Sequence, residues 1–272
     1  MPSKVAIGIT TYSDITEHSF GASVFDAYFS TSTHIAPNQV SVWSARHPVR
    51  TREDFARLWL TRTPFQVRSE EGKGDLIDKG EFLVGAKWRR TGRLSGKGQV
   101  DFRSDRDTAG ANSIRIIHNY SAGVDWHRLF EELIALSAPS YAMLHLFTEA
   151  ELARRAPTDR FKFDGPIVGE DHFTSWLSSL GHWRKPDRWD SKARRQYRYL
   201  TELSWANFLG GEFAGQFDPA AITKVAARAR PLETGLAFQI TGSLADVEQH
   251  PDDFNRSRDL LREAFRPDFF RQ

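Results

Sequence analysis

The run Gly92-Arg-Leu-Ser-Gly96-Lys97-Gly98 brings glycines and a lysine together, as a phosphate-cradling loop does. Such a loop needs four residues between its glycines and a Ser or Thr after the Lys to ligate magnesium. Here three residues intervene and Gly98 follows Lys97, so the segment is expected to be a hairpin turn between strands. His127 and Glu131 are spaced i, i+4, the separation at which one helix face can present two ligands to a metal. One pair does not make a site, the HExxH arrangement is absent, and the other histidines are scattered along the chain. Asp125-Trp126-His127 and Glu170-Asp171-His172 each set a carboxylate beside an imidazole, but neighbours in sequence point different ways and seldom make an acid–base contact. They are expected to open helices, where an acid complements the positive end of the helix dipole.

No G-x-S-x-G elbow occurs, which removes the usual sequence handle for a serine hydrolase. The chain has no cysteine, which excludes disulfides, thiolate zinc sites, iron–sulfur clusters and a cysteine nucleophile. An enzyme built on this chain would have to assemble its site from distant residues, with His118, Asp125, His127, His145 and Glu170 as the candidates. The most unusual local composition runs from Trp183-Arg184-Lys185-Pro186-Asp187-Arg188-Trp189 to Tyr199, where cations and aromatics alternate. Arginines with aromatics can grip phosphates, stack on bases or anchor a protein interface, and their stems can equally cover a core.

The elements that must position these residues follow from periodicity. Val5, Ile7 and Ile9 alternate as a strand, and Phe20, Val24, Tyr28 and Phe29 recur as the face of a helix over 17–31. Gln39 to Trp43 is expected as a strand, and Thr51 with Glu53 and Asp54 opens a helix ending near Arg62. Phe82, Val84, Ala86 and Trp88, then Val100 and Phe102, then Ile114, Ile116, His118 and Tyr120 predict three antiparallel strands. A helix over Val124–Ser137 leads to a buried strand over Tyr141–Phe147. A helix carries Phe173, Trp176, Leu177 and Leu180, and another carries Leu203, Ala206, Phe208 and Leu209 until Gly210-Gly211 stops it. Pro219 opens a helix, Leu236, Phe238 and Ile240 form a last strand, and a helix over Phe254–Phe265 closes the chain.

Strands cluster early and helices gather late, which predicts an α+β fold with an antiparallel or mixed β-sheet packed against several helices. At 272 residues the chain suits one domain over 1–272, or two intimate halves at 1–156 and 157–272. The charged residues nearly balance, 37 basic against 35 acidic, so nucleic acid is not expected as a partner. The N-terminal apolar run is too short for a signal peptide and no stretch is apolar enough to span a membrane, so a cytoplasmic location is expected.

The C-terminal third carries a resemblance. Leu203-Ser-Trp205-Ala-Asn207-Phe208-Leu209-Gly210-Gly211-Glu212-Phe213, then Gly235-Leu-Ala-Phe-Gln-Ile240, then Asp253 to Phe265 with Arg266-Pro-Asp-Phe-Phe270 resembles immunity proteins of bacterial polymorphic toxin systems. The immunity protein 52 family is the nearest likeness, with a short tryptophan-bearing helix ending in glycine, a glycine-led strand and a basic helix with a phenylalanine-rich tail. The resemblance covers about 70 residues of core pattern and carries over no functional residue. It implies a cytoplasmic, non-enzymatic protein that binds and neutralises a cognate toxin encoded nearby, often a nuclease. No catalytic residue, metal, cofactor or small-molecule substrate is then expected. The partner-binding candidates are Trp183, Arg184, Asp187 and Trp189 in the aromatic–basic stretch, and Asp246, Glu248 and Asp252, with Asp253, in a local acidic patch that could meet a basic partner.

Overall fold

In the computed structural model, which describes residues 3–68, 76–102, 111–154, 200, 202–267 and 269–270, the alternating segments become strands and the 3.6-period segments helices. The first half runs β1 (Lys4–Thr11), α1 (His18–Thr31), β2 (Gln39–Val42), β3 (Ala45–Pro48), α2 (Arg52–Arg57), β4 (Leu60–Arg68) and β5 (Leu76–Gly85). Next come β6 (Lys87–Arg90), β7 (Gly96–Asp101), β8 (Asn112–Asn119), α3 (Trp126–Ser137), β9 (Tyr141–Phe147) and α4 (Glu149–Arg154). The remainder is β10 (Ala206–Gly210), α5 (Pro219–Val225), β11 (Arg228–Leu232), β12 (Gly235–Gln239), α6 (Asp246–Gln249) and α7 (Pro251–Arg262). No described helix is long and apolar enough to cross a membrane.

Ten strands form one sheet in the order β11-β12-β10-β9-β1-β8-β7-β6-β2-β3, while β4 and β5 pair as a separate ribbon. The pairings are antiparallel, which makes the chain an α+β protein as expected. Val5, Ile7 and Ile9 of β1 stand on one face with Ile114, Ile116, Val100 and Trp88, and all are buried. Contacts on that face run from Tyr28 of α1 to Trp88 and His118, and from Trp126 of α3 to His118.

The second face divides the sheet in two. Every residue of β9 and β10 is buried, as happens to strands covered on both sides. Their second cover is α4, α7 and the phenylalanine tail, where Phe213, Phe265, Phe269 and Phe270 pack ring against ring. In β6 and β7 buried and accessible residues alternate, the pattern of strands with one wet face. Gly98 belongs to this half because the Trp88 indole lies over it, 2.3 Å from where a Cβ would stand.

Local signals explain several boundaries. Thr51 and Asp54 form a reciprocal capping box at α2, Asp125 caps α3 through Arg128 N–H, and Asp218 caps α5 with Pro219 at its first turn. Four expectations need correction. Leu203 to Leu209 is not a helix: Ala206–Gly210 is strand β10, because a strand buried on both faces shows no alternation. The helix opened by Thr51 ends at Arg57, and its expected last turn is already β4. Phe82 to Trp88 is not one strand: the chain leaves the β4–β5 ribbon at Gly85 and joins the large sheet at Lys87. Trp43 lies beyond β2, in a turn with φ of 53°. The helix expected around Phe173 to Leu180 lies outside the described residues.

Candidate functional site

The helix α7 is built to present one side and to hold the other fast. Phe254, Arg258 and Leu261 fall at i, i+4, i+7 and are buried. The outer side carries Asp252, Asp253, Asp259 and Glu263, all exposed, and α6 adds exposed Glu248. In the middle of these acids Leu260 is 49% exposed, while Arg256 is engaged by Asp253 at 3.1 Å. The result is an acidic helical surface with an apolar residue at its centre. Asp252 and Asp253 also occupy the first turn of α7, where the helix dipole favours carboxylates.

What holds the helix is a buried ionic cluster. The Arg258 guanidinium donates to both Glu151 oxygens, at 3.0 and 3.1 Å, and also to Asn255, and it lies 4.8 Å from the centre of the Phe254 ring. His145 Nε2 stands 3.2 Å from the same carboxylate, and the Trp205 amide donates to His145 Nδ1 at 3.1 Å. That amide leaves Nε2 as the nitrogen that carries the proton toward Glu151. Burial alone would raise the Glu151 carboxyl, but the His145 hydrogen bond and the charge and hydrogen bonds of the Arg258 guanidinium hold it well below the usual carboxylate range. A second clip, Arg262 to Glu202 at 2.9 and 3.0 Å, ties the next turn to the chain before β10. With its charges spent on one another, the cluster locks α4, β9 and α7 together and offers no free group for chemistry.

The expected site residues divide. Trp183, Arg184, Asp187 and Trp189 lie outside the described residues. Asp246, Glu248 and Asp252 sit on the consecutive helices α6 and α7, with different degrees of freedom. Asp246 accepts from the Ser243 amide at 3.1 Å and faces His250 at 3.3 Å, so it is committed locally. Glu248 accepts from the Ser3 hydroxyl at the start of β1, and Asp252 is open to solvent.

The dispersed candidates for an enzyme site are not brought together. Val5 of β1 pairs with His118 and the adjacent Ala6 with His145, so the two imidazoles stand on opposite faces of the sheet. His118 is buried between Tyr28 and Trp126, and burial pushes its pKa down to about 4, which keeps it neutral. Asp125 serves as the α3 cap, and His127 packs edge-on against Trp205 beside Gln239. Glu170 lies outside the described residues. Gly92 to Gly98 forms the turn between β6 and β7 and the start of β7, as the hairpin reading expects. Among the described residues no group of three His, Asp or Glu side chains is placed to share a metal ion.

Sequence reading missed Glu151, Glu202 and Arg258. Arg258 alone left a trace, as a cation in the apolar stripe of a helix.

No family model matches the chain, and no curated protein matches it. Among solved structures the chain is similar to a T6SS protein of Pseudomonas aeruginosa, with 10% identity, a TM-score of 0.47, and coverage of 96% of this chain and 73% of that one. A likeness of that size transfers neither fold nor role.

Proposed function

We propose that this protein is an immunity protein that binds a cognate bacterial toxin encoded nearby and neutralises it in the producer's cytoplasm. The carrying observation is the acidic outer side of α6 and α7, with Glu248, Asp252, Asp253, Asp259 and Glu263 around exposed Leu260. A nuclease presents a basic cleft to its substrate, and an acidic surface of fixed shape is the complement that speeds encounter with it. The buried Arg258–Glu151–His145 cluster supports the reading, because a helix already held in place loses little freedom on binding. The resemblance of the C-terminal third now rests on the glycine-led strand β12, the closing helix α7 and the phenylalanine tail, since the tryptophan-bearing segment is a loop and strand.

The test begins with the product of the adjacent reading frame, expressed alone to see whether it kills the cell. Co-expression of this protein is expected to restore growth and to yield a complex that survives purification. Asp252→Lys with Asp259→Lys should slow association roughly tenfold or more at low salt. A neighbour that is harmless, or one that kills regardless and does not co-purify, overturns the proposal.

A further inference from the structure

Four loops meet at one end of the sheet and leave a depression of about 770 Å³ that toxin neutralisation does not use. The strand ends are in step there. The Ser140 amide donates to the Thr10 carbonyl, the Gly210 amide donates to the Ser140 carbonyl, and Gly210 pairs with Gly235. This register brings together Tyr12 after β1, Pro139 and Ser140 before β9, Glu212 after β10 and Glu233 in the turn between β11 and β12. Small-molecule sites occupy roughly 300–1,000 Å³, and the depression falls within that range.

Its charge is of one sign. Glu212 and Glu233 line it, no Arg, Lys or His does, and neither carboxylate makes an ion pair or hydrogen bond among the described residues. Ala138, the left-handed cap of α3, lines it as well, so the helix turns its negative end toward the same space. A basic side chain in the last turn would offset that end, and α3 has none. Gly210 lets the Glu212 side chain fold back onto the strand end. Glu212 Oε2 lies 3.0 Å from the point where a Cβ on residue 210 would stand, and the carbonyl oxygens of Pro139 and Ser140 lie 2.9 and 2.8 Å from the same point. Three oxygens, one of them charged, are gathered in one corner of the depression.

A second observation is independent of the acids. Ser140 is 2% exposed and lines the depression, and its Oγ has no hydrogen-bond partner among the described residues. Thr11, next to the residue that accepts from the Ser140 amide, shows the contrast: its hydroxyl donates to the Ser137 carbonyl at 2.8 Å. Buried hydroxyls are ordinarily matched, because an unmatched one forfeits the hydrogen bond it made to water. A ligand that donates into this space would satisfy Ser140 and offset both carboxylates.

The acceptors select the kind of cation. Two carboxylates without a third acid or a histidine placed beside them fall short of the oxygen-rich shell that a bare divalent ion takes. An ammonium or guanidinium presents several N–H donors in different directions and matches acceptors spread around a hollow.

We infer that this depression binds a small organic cation, an alkyl ammonium or guanidinium, with Glu212 and Glu233 meeting its charge and Ser140 Oγ accepting a hydrogen bond at the floor. The inference goes beyond toxin neutralisation and stands apart from it, because no residue of α6 or α7 lines the depression.

The test is isothermal titration calorimetry of the full chain, at low salt, with agmatine, which carries a guanidinium and an ammonium on one short chain. Saturable binding is expected, and Glu212→Gln and Glu233→Gln should each weaken it about tenfold. Ser140→Ala should weaken it about threefold while leaving the Tm of the free protein unchanged or raised, since it removes an unmatched buried hydroxyl. Gly211→Trp should abolish binding without lowering Tm by more than about 2 °C, because a Cβ at that lining position has nothing within 4 Å. The inference is overturned by no binding at about 10 mM agmatine, by 1-butanol or succinate binding as well as agmatine, or by carboxamide variants that bind as the parent does. Calcium binding more tightly than agmatine would overturn it in favour of a metal site. Tighter binding of acetyl-arginine amide than of agmatine would also overturn it, since the cation would then belong to a partner protein's side chain. The assay uses this chain alone, so its failure leaves the toxin experiment untouched, and the reverse holds.

Discussion

Replacing Arg258 by methionine removes the cation from a cluster in which the arginine side chain is fully buried and that of Glu151 is 5% exposed. Methionine fills much of the same volume, so the effect isolates the charge. Breaking one partner of a buried pair costs about 3–5 kcal/mol, because the other charge is left without compensation. For a chain of this size that corresponds to a Tm lower by roughly 10 °C.

The pH dependence is a sharper test than the magnitude. In the parent the Glu151 carboxyl is held below its ordinary range, so its contribution is present at neutral pH and fades as pH falls below the unfolded value of about 4.3. In the variant the burial that opposes ionisation is met by His145 alone, and protonation of Glu151 relieves the strain. The gap in Tm between parent and variant, read by circular dichroism, should therefore be widest at neutral pH and narrow as the pH is lowered. The double change Arg258→Met with Glu151→Leu should recover most of the loss. A variant within about 2 °C of the parent at neutral pH, or a gap that does not change on acidification, would refute this account of what anchors α7.

Two further outcomes follow from the inner face of the sheet. Tyr28→Phe removes the hydroxyl that accepts from the Trp88 indole at 3.1 Å and leaves a buried donor unmatched, which should cost about 1–3 kcal/mol in urea denaturation. Gly98→Ala puts a methyl 2.3 Å from the Trp88 ring and should destabilise by about 1–3 kcal/mol with a shifted tryptophan emission, whereas the same change at Gly211, which has open space, should do neither.

Elements with one wet or one buried side were legible. Val5, Ile7 and Ile9 alternate because β1 has small residues on its other face, and α3 shows its stripe because only one side is covered. Ala206–Gly210 was misread because a strand buried on both sides has no period, and Leu203, Ala206 and Leu209 then imitate helical spacing. The β3 and β11 edges were missed because they are short and mostly exposed, with little hydrophobic pattern to find. In the acidic patch Asp246, Glu248 and Asp252 could be seen from composition, since neighbours in sequence stay neighbours on consecutive helices. Glu151 and Arg258 could not, because their meeting depends on the whole second layer.

The place of β1 in the sheet has a consequence in time. Lys4 pairs with Asn119 on one side and Phe147 on the other, so β1 is made long before either strand that flanks it. At ribosomal speeds of about 5–20 residues per second, an apolar strand with two open edges waits roughly 5–30 s for its neighbours. Neither α1 nor α2 can shield its edges, because helices cover faces and leave the backbone donors and acceptors of a strand unmatched. Production in the cell should therefore depend on chaperone capacity during synthesis, and slower translation should lower the soluble yield rather than raise it.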